Sequence, residues 1–292
     1  MTWQDIHRQV ASALAFHHIE NASFEAELLI RSALNITRAQ FYAENNNITN
    51  EIPQSLLSML ERRIKGEPFA YISNQREFFG LSFYVDNRVL IPRPETELLV
   101  ETTLELIKSK YPAQLPVTVD VGTGSGAIAI SLASKLPNHR IYATDISPDA
   151  LEVARINCSR HQVCSRVTLL EGNLLEPLPE PVDIVVANLP YIPRSTYKSL
   201  GPEILNFEPP GALNGGENGL FYIFEILEQS RTRLRPGASL LLEIGEEQST
   251  EVMERAHSVF PRAGISSLRD LADKKRAILI ENPQIPFDLT IN

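Results

Sequence analysis

The sequence predicts an α/β protein in which a mostly parallel sheet is covered by helices on both faces and is preceded by a small all-helical domain. From residue 116 onward, short β-rich runs alternate with helical segments, which is typical of a parallel sheet built from βα units. A glycine-rich turn at residues 120–126 joins the first of these strands to a helix. The first 75 residues carry apolar side chains at helical spacing instead.

Length and composition narrow the class of protein. The chain has 292 residues, 43% of them hydrophobic, and a formal net charge of −9. Its length fits a catalytic domain plus a smaller one, and its acidic balance argues against a protein that wraps duplex DNA. Cys158 and Cys164 match no disulfide framework or zinc spacing, and the histidines are scattered, so we expect no metal site. Without a signal-peptide pattern or a membrane-length apolar run, we expect a cytoplasmic protein.

The N-terminal domain is predicted as a helical bundle spanning residues 1–75. The apolar residues at helical spacing are Trp3, Ile6, Val10 and Leu14, then Phe24, Leu28, Leu29 and Ala33, and finally Leu56, Leu57, Leu60 and Ile64. We expect Thr37 to cap a short helix that contains Phe41, and Gly66 to end the helical pattern. We interpret this domain as a substrate-recognition module.

Residues 76–92 are predicted to be a β-hairpin linker. The stretch 77–85 is rich in aromatic and β-branched residues around Gly80, and 89–91 reads as a second short strand. A helix is expected after the Pro-Arg-Pro-Glu-Thr-Glu stretch of residues 92–97, running to about Lys108 with Thr96 as its cap. Glu95 and Glu97 could line a ligand site or cap that helix.

Residues 93–292 form the predicted catalytic domain. Strands are expected at 117–121, 140–144, 167–170, 184–187 and 239–244, and helices at 125–136, 148–159, 217–234 and 246–259. A final antiparallel pair is expected at 265–268 and 277–280. Ligands of such sheets bind beyond the carboxyl ends of the strands, at the switch point of the strand order.

The glycine-rich turn is a candidate cofactor site. Its residues are Asp120, Val121, Gly122, Thr123, Gly124, Ser125 and Gly126. Glycine allows the tight strand-to-helix turn and a close approach of ligand to backbone, and the N–H groups of the following helix could hold an anionic group. Asp145 ends the next strand, where its carboxylate could accept both hydroxyls of a ribose. The same pattern also satisfies a dinucleotide fingerprint, and a tight turn without a ligand is the plain alternative.

Two later segments extend the predicted site. Asn173 and Leu174 follow the third strand, where they could contact an adenine base or form an ordinary turn. Glu208 and Pro209 open a long irregular connection that is either a substrate-gripping loop or a plain connector.

The segment Asn188-Leu189-Pro190-Tyr191 is the most informative part of the chain because it follows an apolar, strand-like run. An amide or exocyclic amine nitrogen is a weak nucleophile, since its lone pair is delocalised. The side-chain oxygen of Asn188 and the carbonyl of Pro190 could accept its two hydrogens, and Tyr191 could stack on the planar group. Such bonds strengthen as positive charge develops on the nitrogen. The alternative is a strand-ending turn.

These motifs resemble the bacterial release-factor glutamine methyltransferases, the HemK-type family. The matching stretches are residues 66–72, 79–80, 90–97, 120–126, 188–191, 208–209 and 242–245. The resemblance implies a class I S-adenosylmethionine-dependent methyltransferase with a Rossmann-like, mostly parallel seven-stranded sheet in residues 93–292. It also implies an enzyme of translation termination, a protein-glutamine N-methyltransferase that modifies the Gly-Gly-Gln glutamine of class 1 peptide chain release factors.

The resemblance also implies site roles. S-adenosyl-L-methionine would contact Asp120, Gly122, Thr123, Gly124, Ser125, Gly126, Asp145, Asn173, Leu174 and Asn188. Asn188, Leu189, Pro190 and Tyr191 would hold the substrate glutamine, with Asn188, Pro190 and Tyr191 as the catalytic set. Leu189 stands where the family more often has Pro, and Asn173 where an acidic residue is common. We expect a monomer that contacts neither nucleic acid nor membrane.

Other functions remain open on the sequence. A glutamine methyltransferase that acts on a ribosomal protein would share almost every motif, and an adenine-amino methyltransferase of nucleic acid would suit the same tetrapeptide. A nicotinamide dehydrogenase would need a hydride-accepting constellation that the sequence does not offer. A non-catalytic binding module is disfavoured by the intact Asn188 and Tyr191.

Overall fold

The computed structural model describes residues 1–43 and 51–282. They form two compact units. The first comprises Met1–Gln75 together with Gly201–Phe207, and the second comprises Arg76–Leu200 and the chain from Glu208 onward. Within these described ranges, no helix has the length and apolar character needed to cross a membrane.

The first unit is built from amphipathic helices, as the periodicity predicts. They are α1 (Trp3–Phe16), α2 (Ala22–Leu34), α3 (Arg38–Ala43), α4 (Gln54–Ile64) and α5 (Phe69–Ile72). Ile6, Val10 and Leu14 of α1 are buried, and the Thr37 hydroxyl accepts the Gln40 N–H at the start of α3, as expected. The buried face of α2 differs from the predicted one because Phe24 is 51% exposed while Ala26 and Ile30 are buried.

The short helix Pro202–Phe207 belongs to this first unit although it lies far along the sequence. Arg63 is 4% exposed, and its guanidinium forms ion pairs with Glu25 at 3.0 Å and with Glu203 at 2.8 Å. A buried guanidinium needs such partners to offset its lost hydration. The sequence predicts residues 201–207 to be part of the catalytic domain, whereas they pack within the first unit.

The predicted hairpin is present, but the second short strand beside it is wrong. Strands β1 (Arg76–Phe78) and β2 (Leu81–Phe83) pair antiparallel, and Phe79 and Gly80 form the turn with positive φ. Residues 89–91 have irregular backbone instead of a strand. Val89 and Ile91 are buried all the same, and the N–H of Ile91 donates to Glu208 at 3.3 Å.

The second unit contains the predicted alternating sheet. The remaining strands are β3 (Thr118–Val121), β4 (Ile141–Asp145), β5 (Val167–Glu171), β6 (Val182–Ala187), β7 (Leu234–Glu243), β8 (Gly264–Arg269) and β9 (Lys275–Glu281). Among the described residues they form a seven-stranded sheet of order β5-β4-β3-β6-β7-β9-β8. The first five strands of this order are parallel, and β9 pairs antiparallel with both β7 and β8. The mostly parallel sheet and its final antiparallel pair are therefore confirmed.

Helices link and cover these strands. They are α6 (Glu97–Lys110), α7 (Ala127–Lys135), α8 (Pro148–Arg160), α9 (Arg194–Tyr197), α11 (Phe221–Arg233) and α12 (Ser249–Val259), with 3₁₀ turns at Pro94–Thr96, Pro210–Ala212 and Glu246–Gln248. The helix α10 (Pro202–Phe207) is the short helix of the first unit described above. Most boundaries agree with the sequence to within a few residues. The helix predicted from residue 217 begins only at Phe221, because the positive φ values of Gly216 and Gly219 keep residues 216–219 out of the helix.

Candidate functional site

A cavity of about 320 Å³ lies where the parallel strands end. This volume is in the range of small-molecule sites. Residues 122–125 follow β3, 144–147 end and follow β4, 172–174 follow β5, and 188–190 follow β6, and all of them line the cavity. Since β3 lies between β4 and β6, the cavity occupies the switch point of the strand order, as expected.

The structure brings most of the predicted site residues together. Those that line the cavity are Gly122, Thr123, Gly124, Ser125, Asp145, Asn173, Leu174, Asn188, Leu189 and Pro190. Three predicted site residues lie outside the lining of the cavity, namely Asp120, Gly126 and Tyr191.

The glycines of the turn meet real steric demands. Gly122, Gly124 and Gly126 all have positive φ. A Cβ on Gly126 would lie 2.7 Å from Cδ1 of Ile130, and one on Gly122 would lie 3.2 Å from the side chain of Leu189. Gly122 thus lets the turn after β3 approach the segment after β6 closely.

Four N–H groups of the turn have partners within the protein. Gly122 and Thr123 donate to the carbonyl of Thr144, and Gly126 donates to the carbonyl of Thr123. Gly124 donates to Oδ2 of Asp145 at 2.8 Å. A protein carboxylate and main-chain carbonyls therefore satisfy these four donors, and an anionic group held by N–H groups of the following helix stays a prediction.

Asp120 is buried beneath the turn at 1% exposure. Its Oδ2 accepts the hydroxyl of Thr123 at 2.6 Å and the N–H of Ala129 at 3.0 Å, while its Oδ1 has no hydrogen-bond partner among the described residues. Burial raises the pKa of Asp120 to about 7, against the lowering effect of these two hydrogen bonds. Asp120 therefore fixes the turn to the start of α7 and has no direct access to a ligand.

Asp145 stands at the end of β4 with both oxygens engaged by the backbone. Oδ1 accepts the N–H of Ser147 at 2.9 Å, and Oδ2 accepts the N–H of Gly124. Burial raises its pKa, and the backbone N–H bonds act in the opposite direction. Each carboxylate oxygen can accept further hydrogen bonds, so Asp145 has the capacity to bind two ligand hydroxyls.

The adenine side of the predicted site contains one residue that the sequence reasoning missed. Ile146 lines the cavity and is 70% exposed, which is unusual for an isoleucine and leaves its apolar side chain open to a ligand. Asn173 also lines the cavity, with its amide donating to Glu176 at 3.2 Å and to Glu225 at 3.3 Å. Leu174 is 7% exposed, and its carbonyl accepts the hydroxyl of Thr144.

Asn188 follows β6 and lines the cavity with its neighbours. Its Nδ2 donates to the hydroxyl of Thr96 at 3.0 Å, so its Oδ1 is the amide atom left for a ligand donor. Leu189 is 4% exposed and belongs to the apolar core of the sheet, although it also reaches the cavity wall. Leu189 therefore anchors the segment in the core.

Other parts of the chain brace the segment that follows. The Tyr191 carbonyl accepts from Nε2 of Gln248 at 2.9 Å. A Cβ on Gly215 would lie 2.6 Å from the carbonyl oxygen of Pro190, so only glycine permits this approach. The Tyr191 ring packs partly buried against the core, and its hydroxyl donates to Oε1 of Glu243 at 3.2 Å.

Thr96 and Glu243 are buried residues that hydrogen-bond to Asn188 and Tyr191, respectively. The prediction that Thr96 caps α6 is wrong, because its hydroxyl makes no cap and instead donates to Oε2 of Glu243 at 2.7 Å. Burial raises the pKa of Glu243 to about 7, with the Thr96 hydroxyl and the charge of Arg276 lowering it. The position of Glu243 at the carboxyl end of β7 is the sequence signal that could have identified it.

The stretch after the linker also contributes to the wall. Arg93 lines the cavity and forms an ion pair with Glu208, which is 3% exposed. The same carboxylate accepts the N–H of Ile91. Glu97 accepts the N–H of Phe79 at 2.8 Å, so it holds the hairpin turn and is not placed to cap α6.

Comparisons with known proteins agree with this geometry. Residues 5–73 match the family model described as the PrmC N-terminal domain, and residues 97–205 match the model described as ribosomal protein L11 methyltransferase (PrmA). A solved methyltransferase from Pyrococcus furiosus superposes with a TM-score of 0.51 at 18% identity, covering 70% of this chain and 90% of that one. At that identity the likeness shows the fold alone, a class I methyltransferase fold.

Curated relatives match over nearly the whole chain. The release factor glutamine methyltransferase of Moorella thermoacetica is 38% identical over 281 residues, which is 96% of this chain and 98% of that protein. The protein of the same name from Geobacter sulfurreducens is 38% identical over 255 residues, covering 86% and 85% of the two chains. Together with the N-terminal domain match, these alignments show that the chain belongs to the release factor glutamine methyltransferase family.

Proposed function

We propose that this enzyme transfers a methyl group from S-adenosyl-L-methionine to the side-chain amide nitrogen of the glutamine in the Gly-Gly-Gln motif of class 1 peptide chain release factors. The observation that carries the proposal is the convergence of Asn188 and Pro190 with Asp145 on one cavity. A residue with a carboxylate suited to a ribose and residues with carbonyl oxygens suited to an amide then line the same cavity.

The residues of the cavity fit this cofactor. Asp145 offers carboxylate oxygens for the two ribose hydroxyls, and Ile146 offers an apolar face for the adenine, with Asn173 and Leu174 beside it. Gly122 and Gly124 permit the close approach to the backbone that a bulkier residue would block. When bound, S-adenosylmethionine supplies a methyl group carried on a positively charged sulfur.

The substrate side is formed by residues 188–191. The Oδ1 of Asn188 and the carbonyl of Pro190 accept the two hydrogens of the glutamine amide, which fixes the plane of that amide. In this proposal the Tyr191 ring stacks on the amide plane, and its hydroxyl bond to Glu243 holds the ring in place. Leu189 contributes its anchoring in the core.

The transfer forms one N–C bond and breaks one S–C bond. The nitrogen lone pair makes the new bond, the S–C electron pair stays on sulfur, and the nitrogen then releases one proton to solvent. Positive charge develops on the nitrogen during this step, so its N–H bonds to Asn188 and Pro190 strengthen in the transition state. Holding the two reacting groups in the right orientation lowers the activation free energy further, by at most roughly 7–11 kcal/mol.

The comparisons favour this substrate over the alternatives. The match to the ribosomal protein L11 methyltransferase model covers residues 97–205, which contain the cofactor turn and residues 188–191 but none of the N-terminal helices. The N-terminal match and the full-length relatives carry the release-factor names. A net charge of −9 also disfavours a nucleic-acid substrate, whose phosphates attract basic surfaces.

The helical residues 1–75 serve in this proposal as the substrate-recognition domain, joined by residues 76–92 to the methyltransferase domain of residues 93–292. The match at residues 5–73 to the PrmC N-terminal domain supports a role specific to this family. In this proposal the enzyme is a monomer. It acts in the cytoplasm, where newly made release factors are available to it.

The test is a methyl-transfer assay with purified chain, methyl-labelled S-adenosylmethionine and a class 1 release factor. A second factor with Ala in place of the Gly-Gly-Gln glutamine serves as the matched control. We expect label in the first factor only. Equal labelling of both factors would refute the glutamine assignment, and labelling of neither would refute the substrate.

A further inference from the structure

A hydrogen-bond chain connects β7 to the cavity through the start of α6. Glu243 is 2% exposed, and its Oε2 accepts the hydroxyl of Thr96, which is itself 4% exposed. The Oγ1 of Thr96 in turn accepts from Nδ2 of Asn188. Three side chains from distant parts of the sequence, separated by as many as 147 residues between Thr96 and Glu243, therefore form one continuous chain.

The chemistry of the three groups gives this chain a direction. An ionised carboxylate can only accept hydrogen bonds, whereas a threonine hydroxyl has one hydrogen and two lone pairs. Because the single Thr96 hydrogen goes to Glu243, the Thr96 oxygen can face Asn188 only as an acceptor. The group of Asn188 that meets Thr96 must then be the NH₂ donor.

The direction decides which end of the Asn188 amide faces the cavity. A side-chain amide has a donor end and an acceptor end of nearly the same shape, so packing alone hardly distinguishes its two orientations. With Nδ2 held by Thr96, Oδ1 is left for a ligand. In the reversed orientation, Oδ1 would meet the lone pairs of Thr96, and Nδ2 would present hydrogens to the N–H groups of a glutamine amide.

We propose that Glu243 and Thr96 are positioning residues that fix the Asn188 amide in the orientation that accepts the substrate's N–H group. The inference rests on the proposed function and deepens it. It names the residues that make the site bind the N–H group of a substrate amide instead of a hydrogen-bond acceptor. The same carboxylate also accepts the hydroxyl of Tyr191, so one buried group holds both ends of the segment 188–191.

The chain offers a matched pair of threonines for the test. Thr103 lies on α6, is fully buried, and donates its hydroxyl to the Leu99 carbonyl within the same helix at 2.7 Å, outside the cavity. Thr96→Val and Thr103→Val therefore each remove one buried threonine hydroxyl, and the two positions are only seven residues apart. Thr96→Ser restores the hydroxyl at the site itself.

The kinetic arm measures kcat and the cofactor Kd at about pH 8, where the Glu243 carboxyl is ionised. We expect Thr96→Val to lower kcat by about tenfold or more, and to change the cofactor Kd by less than about threefold. Thr96→Ser and Thr103→Val should retain kcat within about threefold of the parent. Glu243→Gln, which can turn either an acceptor or a donor towards Thr96, should lower kcat as well. A Thr96→Val enzyme that binds cofactor and turns over like Thr103→Val would overturn the inference.

The spectroscopic arm needs no substrate. The side-chain NH₂ signal of Asn188 is assigned by its loss in Asn188→Ala, and its exchange with solvent is followed by NMR in the full-length protein. We expect one slowly exchanging Nδ2 proton in the parent and in Thr103→Val, and fast exchange in Thr96→Val. An Asn188 signal unaffected by Thr96→Val contradicts the hydrogen-bond chain even if the parent labels release factor. Conversely, a parent that labels no release factor contradicts the proposed function while this signal still tests the orientation.

Discussion

Gly219 packs directly against the main chain of Tyr191. A Cβ on Gly219 would lie 2.2 Å from the Tyr191 carbonyl oxygen and 2.7 Å from Nε2 of Gln248, which donates to that same oxygen. Gly219 also has a φ of +78°, a conformation that other residues adopt with strain. The loop before α11 and the segment after β6 are therefore fitted to one another.

The Gly219→Ala substitution is expected to displace residues 188–191 and to reduce turnover strongly. A methyl group at this position must push aside backbone atoms, so we expect a loss of stability of roughly 1–3 kcal/mol as well. Thermal unfolding and turnover measure the two effects. Gly264→Ala is the control, because a Cβ there meets nothing within 4 Å. Parent-like turnover in Gly219→Ala would show that this close fit is unimportant to the site.

Replacing Asn188 separates binding from chemistry. We expect Asn188→Ala to change the cofactor Kd by no more than about tenfold, roughly 1.4 kcal/mol. Turnover should fall about a hundredfold or more, because the lost acceptor acts mainly on charge that develops in the transition state. Single-turnover kinetics and cofactor titration measure the two quantities. Unchanged turnover would remove Asn188 from the mechanism.

Asp145 is expected to act on cofactor binding. Asp145→Asn keeps the size of the side chain but replaces an acceptor oxygen by an NH₂ group, which can no longer accept the second ribose hydroxyl. We expect the cofactor Kd to rise by about tenfold or more, in line with the cost of an unmatched polar contact. Asp149→Asn, an exposed acid at the start of α8 outside the cavity, should leave the Kd unchanged. Equal Kd values for the two variants would contradict the assignment of the ribose site.

Asp120 gives a prediction for stability against pH. Its carboxyl has a raised pKa of about 7 in the folded chain, whereas an unfolded chain would have the ordinary value of 3.8. Between these values the folded protein holds a proton that the unfolded protein has lost, so this group's contribution to the free energy of unfolding falls as pH rises. Asp120→Asn removes the titration.

We therefore expect Asp120→Asn to gain stability relative to the parent between about pH 5 and about pH 8, as measured by denaturant unfolding. Glu243 titrates in the same direction in both proteins, and comparing the two proteins cancels its contribution. A stability difference that stays constant with pH would show that Asp120 is ionised throughout.

The sequence predicts which residues meet at the cavity better than it predicts the hydrogen bonds among them. Asp145 ends β4 and Asn188 directly follows β6, the two parallel strands on either side of β3, and the geometry of such sheets brings the carboxyl ends of these strands to the same edge. The glycine-rich turn was predictable as part of the site because it follows β3 at the same edge of the sheet. The mostly parallel sheet followed from the alternation of strand and helix.

The contacts behind the site could not be predicted, because they join residues that are distant in sequence. Thr96 has the type and position of a helix cap, yet its hydroxyl is drawn to the buried carboxylate of Glu243. The N–H groups of Gly122 and Thr123 donate to the Thr144 carbonyl and that of Gly124 to Asp145, although a local turn pattern indicates none of these partners. In each case a tertiary partner competes successfully with a local hydrogen-bonding pattern.

The most direct measurement of the central claim is the position of the transferred methyl group. A class 1 release factor is incubated with the enzyme and S-adenosylmethionine, digested, and mapped by mass spectrometry. The account predicts one added methyl group on the glutamine side-chain amide of the Gly-Gly-Gln peptide, and none when Asn188→Ala enzyme is used for the same time. A methyl group found on another residue of the factor, with that glutamine unmodified, would contradict it.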